Sequence, residues 1–266
     1  MGAKSDRRVL GFFLASVAVV GCGGSIQDEN GAFGQAQSAE LTENALTANA
    51  LTANALTANA LTANALTANA LTANALTANA LTANGLKDPL ARMFLKYAVS
   101  CALPVDETVT ITVDHQQYSY PGQLGLAPQW GERHGSCDGE CQRWVSACML
   151  ARVDAAGVER EISVRGDIAA LKPQPRELRD YPVREGAYFG NLFVDGQPRF
   201  LCVNPGSKED QRVCGDSLKD CPMTVVGSCD DVCDNGAFRS FADCQTAAHG
   251  HNAPTYHETV TVFLPQ

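Results

Sequence analysis

The chain has 266 residues, 45% of them hydrophobic and 18% charged, with a formal net charge of −9 at pH 7. Twenty Lys and Arg against 29 Asp and Glu exclude a surface built to track a phosphate backbone, so no nucleic-acid partner is expected. The composition also excludes a collagen-like chain and a multi-span membrane protein, and eleven cysteines fall short of the share that marks a pure disulfide scaffold.

Residues 1–21 read as an export signal. Lys4, Arg7 and Arg8 give a positive start, and Val9 to Val20 is an apolar run broken only by Gly11 and Ser16. Such a run is too short to cross about 30 Å of hydrocarbon, so it is a signal core and not a spanning helix. It ends in Val19-Val20-Gly21-Cys22, followed by Gly23-Gly24-Ser25. This resembles the lipobox of bacterial lipoproteins. The resemblance implies cleavage before Cys22, a diacylglyceryl group on its thiol and attachment to the membrane through acyl chains. The small neutral residues that follow imply the outer membrane, on its periplasmic face or at the cell surface. Several acyl chains hold far better than a single myristoyl group. Myristoylation itself is excluded, because Asp6 stands where that motif needs Ser or Thr.

After a linker over 22–40, residues 41–85 are nine copies of Leu-Thr-Ala-Asn-Ala, with Glu43 and Gly85 as the only departures. On a helix, five residues turn the leucine by about 140°, so no apolar stripe forms. On a flat strand, an odd period sends successive leucines to opposite faces. Five residues per side would keep every leucine inside, and in this the repeat resembles the pentapeptide-repeat family, a square β-solenoid. Nine units make little more than two coils, so a flexible low-complexity stalk and a helix stay open beside a short solenoid. In each case the repeat is a spacer; as flexible coil it spans roughly 35–40 Å.

Residues 86–266 are long enough for one core. Asp88 and Pro89 open a helix as N-cap and first helical residue, and Leu90, Phe94, Tyr97, Ala98 and Cys101 recur at helical spacing up to Pro104. Residues 107–114 alternate, with Val109, Ile111 and Val113 on one face, and 115–120 return as a hairpin arm. A second helix is expected over 138–153, with Cys141, Trp144, Val145, Cys148 and Val153 inward. Strands are expected over 158–165, 187–194 and 200–203. A loop-rich cystine region over 205–234 comes next, and a strand over 257–264 closes the chain with Val260, Val262 and Leu264 on one face. The order points to an α+β fold with a mostly antiparallel sheet, stapled by disulfides.

With Cys22 set aside, ten cysteines remain: Cys101, Cys137, Cys141, Cys148, Cys202, Cys214, Cys221, Cys229, Cys233 and Cys244. An even number in an exported chain implies five disulfides, whose pairing is not readable from sequence. Cys141 and Cys148 share one helix face and are expected to reach neighbouring elements, not each other. Cys137-x-x-x-Cys141 and Cys229-x-x-x-Cys233 also have tolerable zinc spacing, but an oxidising compartment argues against it.

No HExxH helix, nucleophile elbow, phosphate loop or dinucleotide fingerprint is present, so no catalytic residue and no cofactor is assigned. The candidate metal ligands are His249, His251 and His257, with Glu258 as the carboxylate nearby in sequence. Trp130, in a Pro-Gln-Trp-Gly loop, is the candidate stacking platform for a ligand, whereas Trp144 belongs to a helix core. Arg165-Gly166-Asp167 spells an adhesion tripeptide but reads as an ordinary turn.

The repeat, Leu95-Lys96-Tyr97-Ala98-Val99-Ser100-Cys101, Trp144-Val145-Ser146-Ala147-Cys148 and Gly186-Ala187-Tyr188-Phe189-Gly190-Asn191-Leu192-Phe193 are together similar to a family of bacterial lipoproteins. Its members pair Leu-Thr-Ala-Asn repeats with a cysteine-rich C-terminal domain, and the resemblance implies no particular activity. The expectation is an exported, lipid-anchored envelope or surface protein with a binding or structural role toward a protein or glycan. The alternative is an exported metal-dependent hydrolase built on the C-terminal histidines.

Overall fold

The computed structural model describes residues 84–205, 210–215, 221–247 and 253–266 and the backbone of a two-residue strand, β1 (Ala45–Leu46), all within the unit Ala39–Gln266. The leader, Cys22 and the rest of the repeat lie outside the described residues. The first long helix, α1 (Pro89–Ala102), starts as expected: the Asp88 carboxylate accepts from Leu90 N at 2.9 Å, and Pro89 needs no partner for a missing N–H. It ends at Leu103, which is extended ahead of Pro104. Next comes the hairpin of β2 (Thr108–Val113) and β3 (Gln116–Pro121), paired from Thr108↔Pro121 to Val113↔Gln116. Its two-residue turn puts Asp114 and His115 at φ 48° and 68°, the left-handed pair that a tight hairpin needs and that Asp and His tolerate.

The second helix, α2 (Gly139–Ala151), is capped by Asp138, whose carboxylate accepts from Cys141 N at 3.0 Å. It is the central helix, packed against α1 and against the main sheet, and Cys141, Trp144, Val145 and Cys148 are all buried. That sheet adds β4 (Ile162–Arg165), then, after the short helix α3 (Pro175–Asp180), β5 (Val183–Gly190) and β6 (Arg199–Val203). The cystine region supplies α4 (Asp210–Cys214), β7 (Thr224–Ser228), α5 (Cys229–Val232) and the short strands β8 (Asp234–Asn235), β9 (Phe241–Ala242), β10 (Cys244–Gln245) and β11 (Thr255–Tyr256). The last strand, β12 (Val260–Leu264), inserts into the middle. The sheet order is β1-β4-β12-β5-β6-β7, antiparallel except for β6 with β7. The fold is therefore α+β with a mostly antiparallel sheet.

Alternation sorts the sheet's side chains between two cores. Val260, Val262, Leu264, Tyr188 and Leu201 face the helices and join one large cluster with α1, α2 and the hairpin. Ala187, Phe189 and Cys202 face the other way, onto Cys229, Val232, Phe241 and Cys244. Five disulfides staple the whole: Cys101–Cys148, Cys137–Cys141, Cys202–Cys229, Cys214–Cys221 and Cys233–Cys244. Cys148 joins α2 to α1 as expected. Cys141 bonds only to Cys137, just ahead of its own helix, and so reaches no neighbouring element.

Three strands differ from expectation: the closing strand, expected from 257, starts at Val260, and two others differ for visible local reasons. The strand expected to start at Val158 starts at Ile162, because the Asp154 side chain takes the N–H groups of Ala156 and Val158 and the guanidinium of Arg160, holding that segment as a loop. The strand expected over 187–194 runs over Val183–Gly190. Gly190 ends it at φ 143°, with no room for a side chain beside the Pro198 carbonyl, and Asn191 Oδ1 then accepts from Phe193 N at 2.9 Å to turn the chain.

Candidate functional site

A shallow cleft of about 410 Å³ opens where the end of β5, the 194–198 loop, α2 and the segment before β12 meet. Its lining combines Arg143 from α2, Asn191 and Pro198 at the Gly190 turn, and Thr255, Tyr256, His257 and Glu258. Glu258 is almost fully buried and accepts two hydrogen bonds from Arg143, at 2.7 and 2.8 Å, a fork that fixes the guanidinium plane. These bonds hold the Arg143 charge above its ordinary pKa against the smaller effect of burial. The Tyr256 ring leans on Phe189 and Phe200 at 5.4 and 5.6 Å, and burial raises its hydroxyl pKa, with Arg143 opposing and Glu258 assisting. Asn191 donates to Gln142 Oε1 at 3.1 Å.

His257 stands at the rim with its ring exposed, and its Nδ1 lies 2.6 Å from Asp243 Oδ1. Asp243, between β9 and β10, has φ 48°, a backbone that aspartate tolerates. The cleft thus presents an aromatic edge flanked by the Arg143–Glu258 ion pair and the hydrogen-bonded His257–Asp243 pair. That arrangement suits polar recognition with little net charge: Arg143 and Glu258 keep spare donors and lone pairs, and His257 keeps Nε2. Among the described residues, His257 contacts no hydroxyl or thiol that it could activate.

Sequence reasoning met this site in part. His257 is there, whereas His249 and His251 lie outside the described residues. Glu258 follows His257 in sequence yet turns inward to Arg143, and the carboxylate on His257 is Asp243, fourteen residues earlier. Arg143, Asn191 and Tyr256 carried no signal that periodicity could detect. Trp130 is a correction. Its 3₁₀ turn, Pro128–Gly131, tucks the indole fully into the core, edge-on to Phe193 at 5.6 Å, so no face is left for a ligand. An apolar side chain of that size buries wherever a core is within reach. Arg165 of the adhesion tripeptide is buried as well, with its guanidinium over the Phe263 ring and donating to the Glu177 and Tyr181 carbonyls.

A second polar cluster is sealed inside. Arg212 of α4 donates to both Glu185 oxygens at 2.7 Å and to the Val153 and Ala151 carbonyls, and Tyr188 completes the ring of bonds. Burial opposes the Arg212 charge, and Glu185 more than offsets it, so the guanidinium is held above its ordinary pKa. Burial likewise raises the Tyr188 phenol well above its usual value. With no opening to solvent, this cluster is an internal clamp between the sheet and the end of α2. Comparison with known proteins finds no family model, no curated protein and no solved structure that matches the chain.

Proposed function

We propose that the chain is an exported, lipid-anchored envelope protein that displays its disulfide-stapled α+β domain on the repeat spacer. Acyl chains on Cys22 hold it to the outer membrane, and the domain binds a protein or glycan through the cleft around Arg143, Tyr256, His257 and Glu258. The observation that carries this reading is the cysteine arithmetic. Ten of the eleven cysteines close five bridges within one domain, and the remaining one, Cys22, stands in the lipobox-like segment. Five bridges belong to an oxidising compartment. Among the described residues no helix is long and apolar enough to cross a membrane. The cleft supports a binding role because an aromatic edge beside hydrogen-bonded polar pairs matches the mixed apolar and hydroxyl faces of a sugar or the surface of a peptide.

Intact mass of the protein from the membrane fraction tests this reading, taken with alkylation before and after reduction. The expected species begins at Cys22, carries acyl groups, takes no alkyl label before reduction and takes ten labels after it. An unprocessed N-terminus, or thiols labelled before reduction, overturns the reading.

A further inference from the structure

The smaller core gathers more sulfur than two independent bridges require. Cys229 opens α5 and Cys233 follows its last residue, four positions on, so one helical turn places both on the same side. Strand β6 brings Cys202 up against them. The Sγ atoms of Cys202, Cys229 and Cys233 lie within 4.8 Å of one another, the one such gathering among the described residues. Cys202 Sγ and Cys233 Sγ belong to different bridges, yet they are 3.4 Å apart. That separation puts sulfurs of two different bridges in direct contact. Cys202, Cys229 and Cys244 are buried, whereas Cys233 is half-buried and can be reached.

We propose that Cys202, Cys229, Cys233 and Cys244 form one thiol–disulfide exchange unit, in which Cys233 passes a disulfide from Cys244 to Cys202 when a dithiol engages the domain. The accessible sulfur sets the order of events. A thiolate of the dithiol attacks Cys233 Sγ, forms a mixed disulfide and expels the Cys244 thiolate. The second thiol of the partner resolves the mixed disulfide, so the partner leaves oxidised to its own disulfide and Cys233 is released as a thiolate. Cys233 then attacks Cys202 Sγ, the Cys202–Cys233 bond forms and the Cys202–Cys229 bond breaks. Cys229 and Cys244 take up the two protons given up by the dithiol. The net change is one disulfide reduced in the domain, one formed in the partner, and the surviving bridge moved to Cys202–Cys233. The Cys101–Cys148 bridge offers no such route: both sulfurs are fully buried, and no third cysteine gathers with them among the described residues. Exchange needs a thiolate close to a disulfide, and once Cys233 is freed from Cys244 its side chain lies beside the Cys202–Cys229 bridge, free to rotate into line with it.

The test uses the full chain with limiting dithiothreitol at about pH 8, where a thiolate is well populated. Samples are quenched in acid, alkylated and mapped as linked peptides. The expected first product carries label on Cys229 and Cys244 and a Cys202–Cys233 cross-link. Label on Cys233 and Cys244 with Cys202–Cys229 intact in every partly reduced species overturns the proposal. A second arm needs no reductant: Cys244→Ser leaves Cys233 unbridged, and its label is expected to divide between Cys233 and Cys229. Label on Cys233 alone, or cross-links to cysteines outside the four, would sink the idea, the latter because exchange would then follow unfolding.

Discussion

The two faces of the main sheet solve the same problem with different means. On the helical side, α1, α2 and the β2–β3 hairpin bring together 41 buried apolar side chains among the described residues, five of them half-cystines, and one long-range bridge, Cys101–Cys148, ties the two helices. Among the described residues the opposite face has seven, and three of them are half-cystines. Burial of apolar area at about 25 cal/mol per Å² sustains the first. The second is too small to sustain itself on those terms, and covalent links take over, as they do in small exported domains. The difference teaches where order originates: in packing on one side, in cross-links on the other. The candidate cleft lies at the seam, with Arg143 from the helical side and Tyr256 leaning on Phe189 and Phe200 of the cystine side.

The sharpest way to break that comparison is to break the clamp. Gly186 pairs with Val262 and Arg184 with Phe263, which leaves Glu185 as the extra residue of a β-bulge, and its carboxylate goes to Arg212. Glu185→Ala strands a buried guanidinium and is expected to cost about 3–5 kcal/mol in denaturant unfolding. A loss under 1 kcal/mol would mean that water reaches Arg212 and that the helical side is less tightly packed than described. Removing bridges sharpens the contrast further. Cys101→Ala with Cys148→Ala opens a 47-residue separation, and Cys202→Ala with Cys229→Ala one of 27, so chain entropy puts each pair near 4 kcal/mol. Their local effects should differ. By hydrogen exchange, α1 and α2 should stay protected in the first variant, whereas β7 and α5 should lose protection in the second. Equal local loss on both sides would erase the distinction.

Legibility in the sequence followed the same division. Helices α1 and α2, the hairpin and β12 each bury a regular apolar set and carry their own caps or turn residues, so periodicity located them. The cystine side has little periodicity to read. Strand β7 and helix α5 exist because Cys202–Cys229 and the parallel pairing with β6 hold them, and those are long-range facts that a run of five residues does not encode. Strand β5 was displaced because Arg184 and Glu185 look like solvent residues until the bulge and Arg212 are known. Of the cleft, the sequence pointed to His257 and to Glu258 beside it. Glu258 and Asp243 trade the roles their sequence positions suggest, since a strand start turns Glu258 inward.

The smallest expected effect concerns a flaw on the well-packed side. Tyr120 of β3 is buried in the larger core, and its hydroxyl has no hydrogen-bond partner among the described residues. Burial pushes the phenol up to about 12, with Arg92 opposing and Tyr118 adding to the shift. The folded state therefore favours the neutral phenol. The unfolded chain releases this proton near pH 10, so the folded state loses stability as pH rises from about 10 to about 12 and loses none of it below that window. Tyr120→Phe removes the unsatisfied group while keeping the ring, and a gain of about 1 kcal/mol is expected at neutral pH. The same variant should fall less steeply between about pH 10 and about pH 12, and one high-pKa tyrosine should vanish from its ultraviolet titration. If Tyr120→Phe instead destabilises at neutral pH, the hydroxyl has a partner, and a packing-based helical side would owe part of its stability to a polar contact after all.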